Sequence, residues 1–69
     1  MTDTALLKQV IHDSGLKLDY IANSIGISRQ SLSKKINNVT SFNQYEIFKL
    51  CEILNITNAK MKEKIFLLP

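Results

Sequence analysis

The side chains best suited to chemistry lie close together, in Ser28, Arg29, Gln30, Ser31, Ser33, Lys34, Lys35 and Asn37. An Arg guanidinium can bind guanine O6 and N7 with two N–H groups, and a Gln amide can do the same to adenine N6 and N7. Hydroxyl, amide and ammonium groups donate to phosphate oxygens. No Asp or Glu occurs from Gly26 to Gln44, so nothing there would repel a polyanion. Arg29, Gln30, Ser33 and Lys34 are expected to meet base edges. Ser28 reads first as a helix cap and second as a phosphate or base contact. Ser31, Asn37, Thr40 and Ser41 are candidates for phosphate bonds, although turn chemistry alone would account for Asn37. Lys35 reads equally as a phosphate contact or a solvated side chain. A second basic cluster, Lys60, Lys62 and Lys64, is interrupted only by Glu63; its plain reading is a solvated helix face.

Other chemistries find few candidates. His12 and Cys51 are each single, so neither metal-ligand spacing nor an intrachain disulfide arises, and no metal or cofactor is expected. No Ser, His and acid set, no acid pair and no Gly-rich phosphate loop suggests an enzyme. Cys51 reads as a small core residue and His12 as a surface or boundary one. Tyr20, Tyr45, Phe48 and Phe66 read as packing or interface residues.

These side chains need a scaffold, and 69 residues provide for one domain, 1–69. A chain of this size buries only about 60% of its unfolded surface, so its core is small. Nine Lys and Arg against six Asp and Glu leave a charge of +3, a mild excess that permits a polyanionic partner. There is no apolar run long enough to span a bilayer and no signal-peptide pattern at the start, so a cytoplasmic protein is expected.

Apolar positions recur near every 3.6 residues, which predicts helices throughout. The first spans about Thr4 to Ser14, with Leu7, Val10 and Ile11 inward, Thr2 or Asp3 as cap and Gly15 ending it. The second is short, about Leu18 to Ser24, with Leu18, Ile21, Ala22 and Ile25 inward. Gly26 then allows a sharp turn at positive φ. Ser28 caps a third helix from Arg29 to about Asn37, whose inward residues are Leu32 and Ile36. Asn43 and Glu46 fit a capping box for a fourth helix, with Phe42 and Ile47 as its hydrophobic staple. Ile47, Leu50, Cys51 and Leu54 form the stripe of that helix, and a fifth spans about Asn58 to Phe66.

A short helix, a Gly-containing turn and a second helix with one polar face, here about residues 18–37, is the layout of a helix-turn-helix. Ala22 would let the two helices cross closely. Gly15-Leu16, Ile21-Ala22, Ile25-Gly26-Ile27-Ser28-Arg29 and Leu32 resemble the Cro/CI-type (XRE, lambda-repressor-like) helix-turn-helix proteins. Lys35-Ile36-Asn37-Asn38, Phe42 and Glu46-Ile47 are similar to a phage-associated branch of that family. The resemblance covers about residues 5 to 56. It implies an all-α, five-helix lambda-repressor-like domain that inserts its third helix into the major groove, acts as a dimer and controls transcription.

The chain also departs from that pattern. Leu18 stands where the family often has a phosphate-clamping Gln, and Lys17 where it usually has a Thr cap. Ile11 and Ile36 occupy the positions of a buried Arg–Glu pair; a packed apolar pair can replace such an ion pair.

Two functions follow as expectations. One is a sequence-specific repressor or Cro-like regulator that reads a palindromic operator in double-stranded DNA. The other is a protein-binding module, an antirepressor or antitoxin, that engages a partner regulator. The first requires a homodimer, since one recognition helix reads too few base pairs to single out a site. Phe66 and Leu68 in the apolar run Ile65-Phe66-Leu67-Leu68, helped by Met61, are the expected dimer contacts.

Overall fold

In the computed structural model, which describes residues 1–67, the chain folds into five helices: α1 (Thr4–Ser14), α2 (Leu18–Ile25), α3 (Arg29–Ile36), α4 (Gln44–Ile53) and α5 (Ala59–Phe66). No strand occurs among the described residues, and none of their helices is long and apolar enough to cross a membrane.

Local chemistry sets the helix ends. The Asp3 side chain accepts from the Leu6 amide and starts α1, and Gly15 closes that helix in the left-handed conformation. Lys17 offers no side-chain cap to α2, since an ammonium cannot accept from a backbone amide. Gly26, at φ 82°, ends α2 while the Ile27 amide donates back to Ala22 O at 3.0 Å. Only Gly26, Ile27 and Ser28 therefore separate α2 from α3. Ser28 Oγ accepts from the Ser31 amide at 3.0 Å. At the other end of α3, Asn38 takes φ 62° and the Val39 amide donates to Lys34 O at 2.8 Å. Asn tolerates that conformation better than most residues. The α4 capping box is complete, with Glu46 N donating to Asn43 Oδ1 at 2.8 Å and Asn43 N donating to Glu46 Oε1 at 2.9 Å.

Packing gathers one core. Helix α2 lies against α3 and α4, while α1 lies against α3 and α5. Leu7, Ile11, Ile21, Ala22, Ile25, Leu32, Ile36, Leu50, Leu54, Ile65 and Phe66 fill the interior. Ala22 is buried in α2, the helix that packs against both α3 and α4, where a larger side chain would force those helices apart. Val10, Leu18, Phe42, Ile47 and Cys51 line the core's margin as half-buried side chains.

Phe66, an expected dimer contact, lies inside the fold of the single chain. Phe66 is only 3% exposed, and its ring meets that of Phe42 edge-on with centroids 5.7 Å apart. Of the apolar run, Ile65 and Phe66 turn inward and Leu67 is half exposed. Met61 is exposed as expected, and Leu68 lies outside the described residues.

The chain's beginning is tied to two distant helices. Thr2 N donates to Asn38 Oδ1 and Asn38 Nδ2 donates to Thr2 O, both at 2.8 Å. Thr4 Oγ1 donates to Ile36 O, and Asp3 N donates to Ile65 O, both at 2.6 Å.

Ile11 and Ile36 are both buried in this core, on the packed helices α1 and α3. Ile36→Glu should lower stability by about 3–5 kcal/mol, since it buries a carboxylate with no partner. Adding Ile11→Arg should restore part of that loss in urea denaturation. An Ile36→Glu protein as stable as its parent would show that the site is open to water.

Candidate nucleic-acid interface

Two buried residues decide which way α3 faces. Leu32 and Ile36 point into the core, so Arg29, Gln30, Ser33, Lys34 and Asn37 lie on its exposed side. Thr40 and Ser41, in the loop that follows, are also exposed, and Ser31 is half-buried. The structure thus brings the ten expected DNA-facing residues to one helix, its cap and its following loop; eight are exposed, and Ser31 and Lys35 are part-buried.

Several of these groups already have partners. Ser28 Oγ is occupied as an acceptor by its cap bond, which leaves its hydroxyl able to donate. Asn37 Nδ2 donates to Ser33 O at 2.9 Å and so lies back along the helix. Arg29 Nε stands 3.8 Å from Asp19 Oδ1, with both side chains well exposed. An exposed pair at that distance contributes little to stability. It marks where the first turn of α2 lies beside the first turn of α3.

Among these ten, Lys35 is engaged within the fold. Its Nζ donates to Glu46 Oε1 at 2.9 Å and to Ser41 O at 3.0 Å, and its side chain is only 15% exposed. Position explains this: Lys35 follows Leu32 by three residues, so it flanks the buried stripe on the side away from Ser33. Its ammonium joins the α3–α4 loop to the start of α4.

Glu46 was legible as half of a capping box, but Lys35 as its second partner was not. Burial raises the Glu46 pKa; the Asn43 amide and the Lys35 ammonium outweigh it, so the carboxyl ends below its ordinary value. The Asn38–Thr2 pairing was also missed, because it joins residues 36 positions apart. The other single groups sit where their types suggest: His12 is exposed, and Cys51 is half-buried with its thiol pKa pushed up by burial, partly offset by Lys62. Tyr20, Tyr45 and Phe48 are exposed, unlike Phe66.

These features define a small all-α domain compatible with a helix-turn-helix, with an acid-free polar face on its third helix. Residues 4–67 match the family described as "Protein of unknown function (DUF739)", and the chain belongs to that family. No curated protein and no solved structure matches it.

The Glu46 pair has a defined pH signature. A carboxyl whose folded pKa is lowered adds stability above its unfolded pKa of about 4.3, and that stability is lost as pH falls through the folded value. Glu46→Gln should be less stable than the parent at pH 7, by about 1–3 kcal/mol for a Lys35 ammonium left short of its charged acceptor. Thermal melts from pH 7 to pH 3 should show that gap closing below about pH 4.3. A gap that stays constant over the range would rule the pair out as a stabilising interaction.

Proposed function

We propose that this protein is a sequence-specific, duplex-DNA-binding regulator of transcription, of the Cro/CI type that its sequence resembles. The observation that carries this reading is the exposed face of α3. Arg29, Gln30, Ser33 and Lys34 stand there together, in a stretch from Gly26 to Gln44 that has no carboxylate. In this reading α3 enters the major groove and Arg29 and Gln30 take base edges in two-pronged fashion. Lys34 and Ser33 follow along the groove. Ser28, Ser31, Asn37, Thr40 and Ser41 hold phosphates, which fix register without reading sequence. Lys35 positions the loop that carries Thr40 and Ser41.

Operator recognition calls for two copies, with half-sites about 34–36 Å apart on one side of the duplex. With Phe66 committed to the core, Met61 and Leu67 are among the exposed apolar groups of the described residues, and they are the proposed dimer contacts. The protein acts in the cytoplasm, where its single cysteine stays reduced.

Fluorescence anisotropy on the promoter beside the gene and on random duplex, over a salt series, tests this reading. Arg29→Ala and Gln30→Ala should each lose about 1–3 kcal/mol at one operator position and relax preference there. Lys34→Ala should weaken binding as well. Equal binding of every duplex by wild type and all three variants would sink the sequence-reading role. No binding even at low salt would favour a protein-binding module instead.

A further inference from the structure

Between α4 and the start of α5 lies a groove that plays no part in the reading of α3. Phe48, Cys51 and Glu52 of α4, Ile56 of the connecting loop, and Ala59 and Lys62 of α5 are among its walls. We infer that this groove docks a short segment of a second, different protein, one that carries an apolar side chain beside a carboxylate. The inference goes beyond the DNA-binding reading and does not depend on it.

The apolar half of the argument starts on α4. Phe48 is exposed, and it shares the groove with the half-buried Cys51 and Ile56. Tyr45, three residues earlier, is exposed too, so two aromatic rings stand on one side of this helix. Aromatic side chains are enriched at protein interfaces, where they fill pockets and exclude water. The groove encloses about 470 Å³, the scale of a site for a few side chains rather than a whole domain.

Charge selects the occupant. Lys62 is half-buried in the wall, and among the described residues it forms no ion pair. Its ammonium is near enough to Cys51 to offset part of the rise that burial causes in the thiol pKa. Glu52, the one carboxylate among the described residues of the lining, already accepts from Lys49 Nζ at 3.2 Å. An ammonium over an apolar floor attracts a carboxylate more strongly than one in open water does. Asn55 and Thr57, exposed at the rim, add amide and hydroxyl donors.

Two other occupants fit less well. A second copy of this chain, paired about a two-fold axis, would set the patch against itself and Lys62 towards Lys62. Helix α5 adds Lys60 and Lys64 against Glu63 alone, so self-pairing there meets like charge. A nucleic-acid phosphate would satisfy Lys62 but offers nothing apolar to Phe48 and Ile56. No residue of α3 lines the groove, which keeps it separate from the face proposed for DNA.

A random peptide library displayed on phage and panned on the intact protein supplies the probe, the enriched peptides made with a fluorescent label. These should share an Asp or Glu close to a Leu, Phe or Trp. They should also slow alkylation of Cys51, the single cysteine, in the groove wall. In fluorescence anisotropy, Phe48→Ser and Lys62→Glu should each weaken them about tenfold or more. Replacing the peptide's acid by Lys should reverse the order, so that Lys62→Glu binds it more tightly than wild type. That exchange also shows the variant to be folded. Arg29→Ala should bind the acidic peptides as wild type does, and excess random duplex should not displace them. No enrichment, enriched peptides without acids, or acidic ones that leave Cys51 open and bind both variants as wild type would overturn the proposal. Displacement by duplex would do the same, as would a wild-type dimer that Phe48→Ser splits, which assigns the groove to a second copy. None of these outcomes touches the role of α3, which the duplex measurements test separately.

Discussion

An eight-residue helix is too short to persist in water by itself, because nucleation costs more than so few hydrogen bonds return. The presentation of α3 depends on this constraint. Its own burial is slight, Leu32 and Ile36, so its ends must be held from outside. Ser28 supplies the first end and the Asn38 turn the second. Lys35 then fastens the helix sideways to Glu46, whose Oε1 also accepts from the Asn43 amide. One oxygen thereby joins the flank of α3 to the start of α4. The polar side of α3 is left to Arg29, Gln30, Ser33 and Lys34 because every other side is already engaged.

The core follows the same economy. Helix α2 touches both α3 and α4, and its small Ala22 keeps those helices close. Phe66 closes the far end by setting its ring edge-on against Phe42, which sits just before the α4 cap. Edge-on pairs of this kind add about 0.5–1.5 kcal/mol beyond their buried area. In a domain this small, such a ring is worth more inside than on a surface awaiting a partner.

Much of this was readable from the residues. The helices followed from apolar spacing, and Asp3, Ser28 and Asn43 with Glu46 are local signals that fix helix starts within one residue. The exposed set on α3 was legible too, since Leu32 and Ile36 define its inward side. Three features were not. Lys35 and Glu46 are 11 positions apart and meet only because the loop turns back. Asn38 shows a turn-forming residue type but not its hold on Thr2. The run Ile65-Phe66-Leu67 is apolar at every position, so periodicity cannot say which member faces inward.

The bond from Asp3 N to Ile65 O spans nearly the whole chain, and the pairing of Thr2 with Asn38 spans half of it. Closing a loop carries an entropy cost that grows with its length, so contacts of long separation form after local ones. The start of α1 is therefore held by contacts that need α3 and α5 in place to receive it. Its docking completes the globule as a latch does. Loosening at Thr2 and Asp3 would therefore cost the Asn38 turn and the Ile65 carbonyl their partners as well.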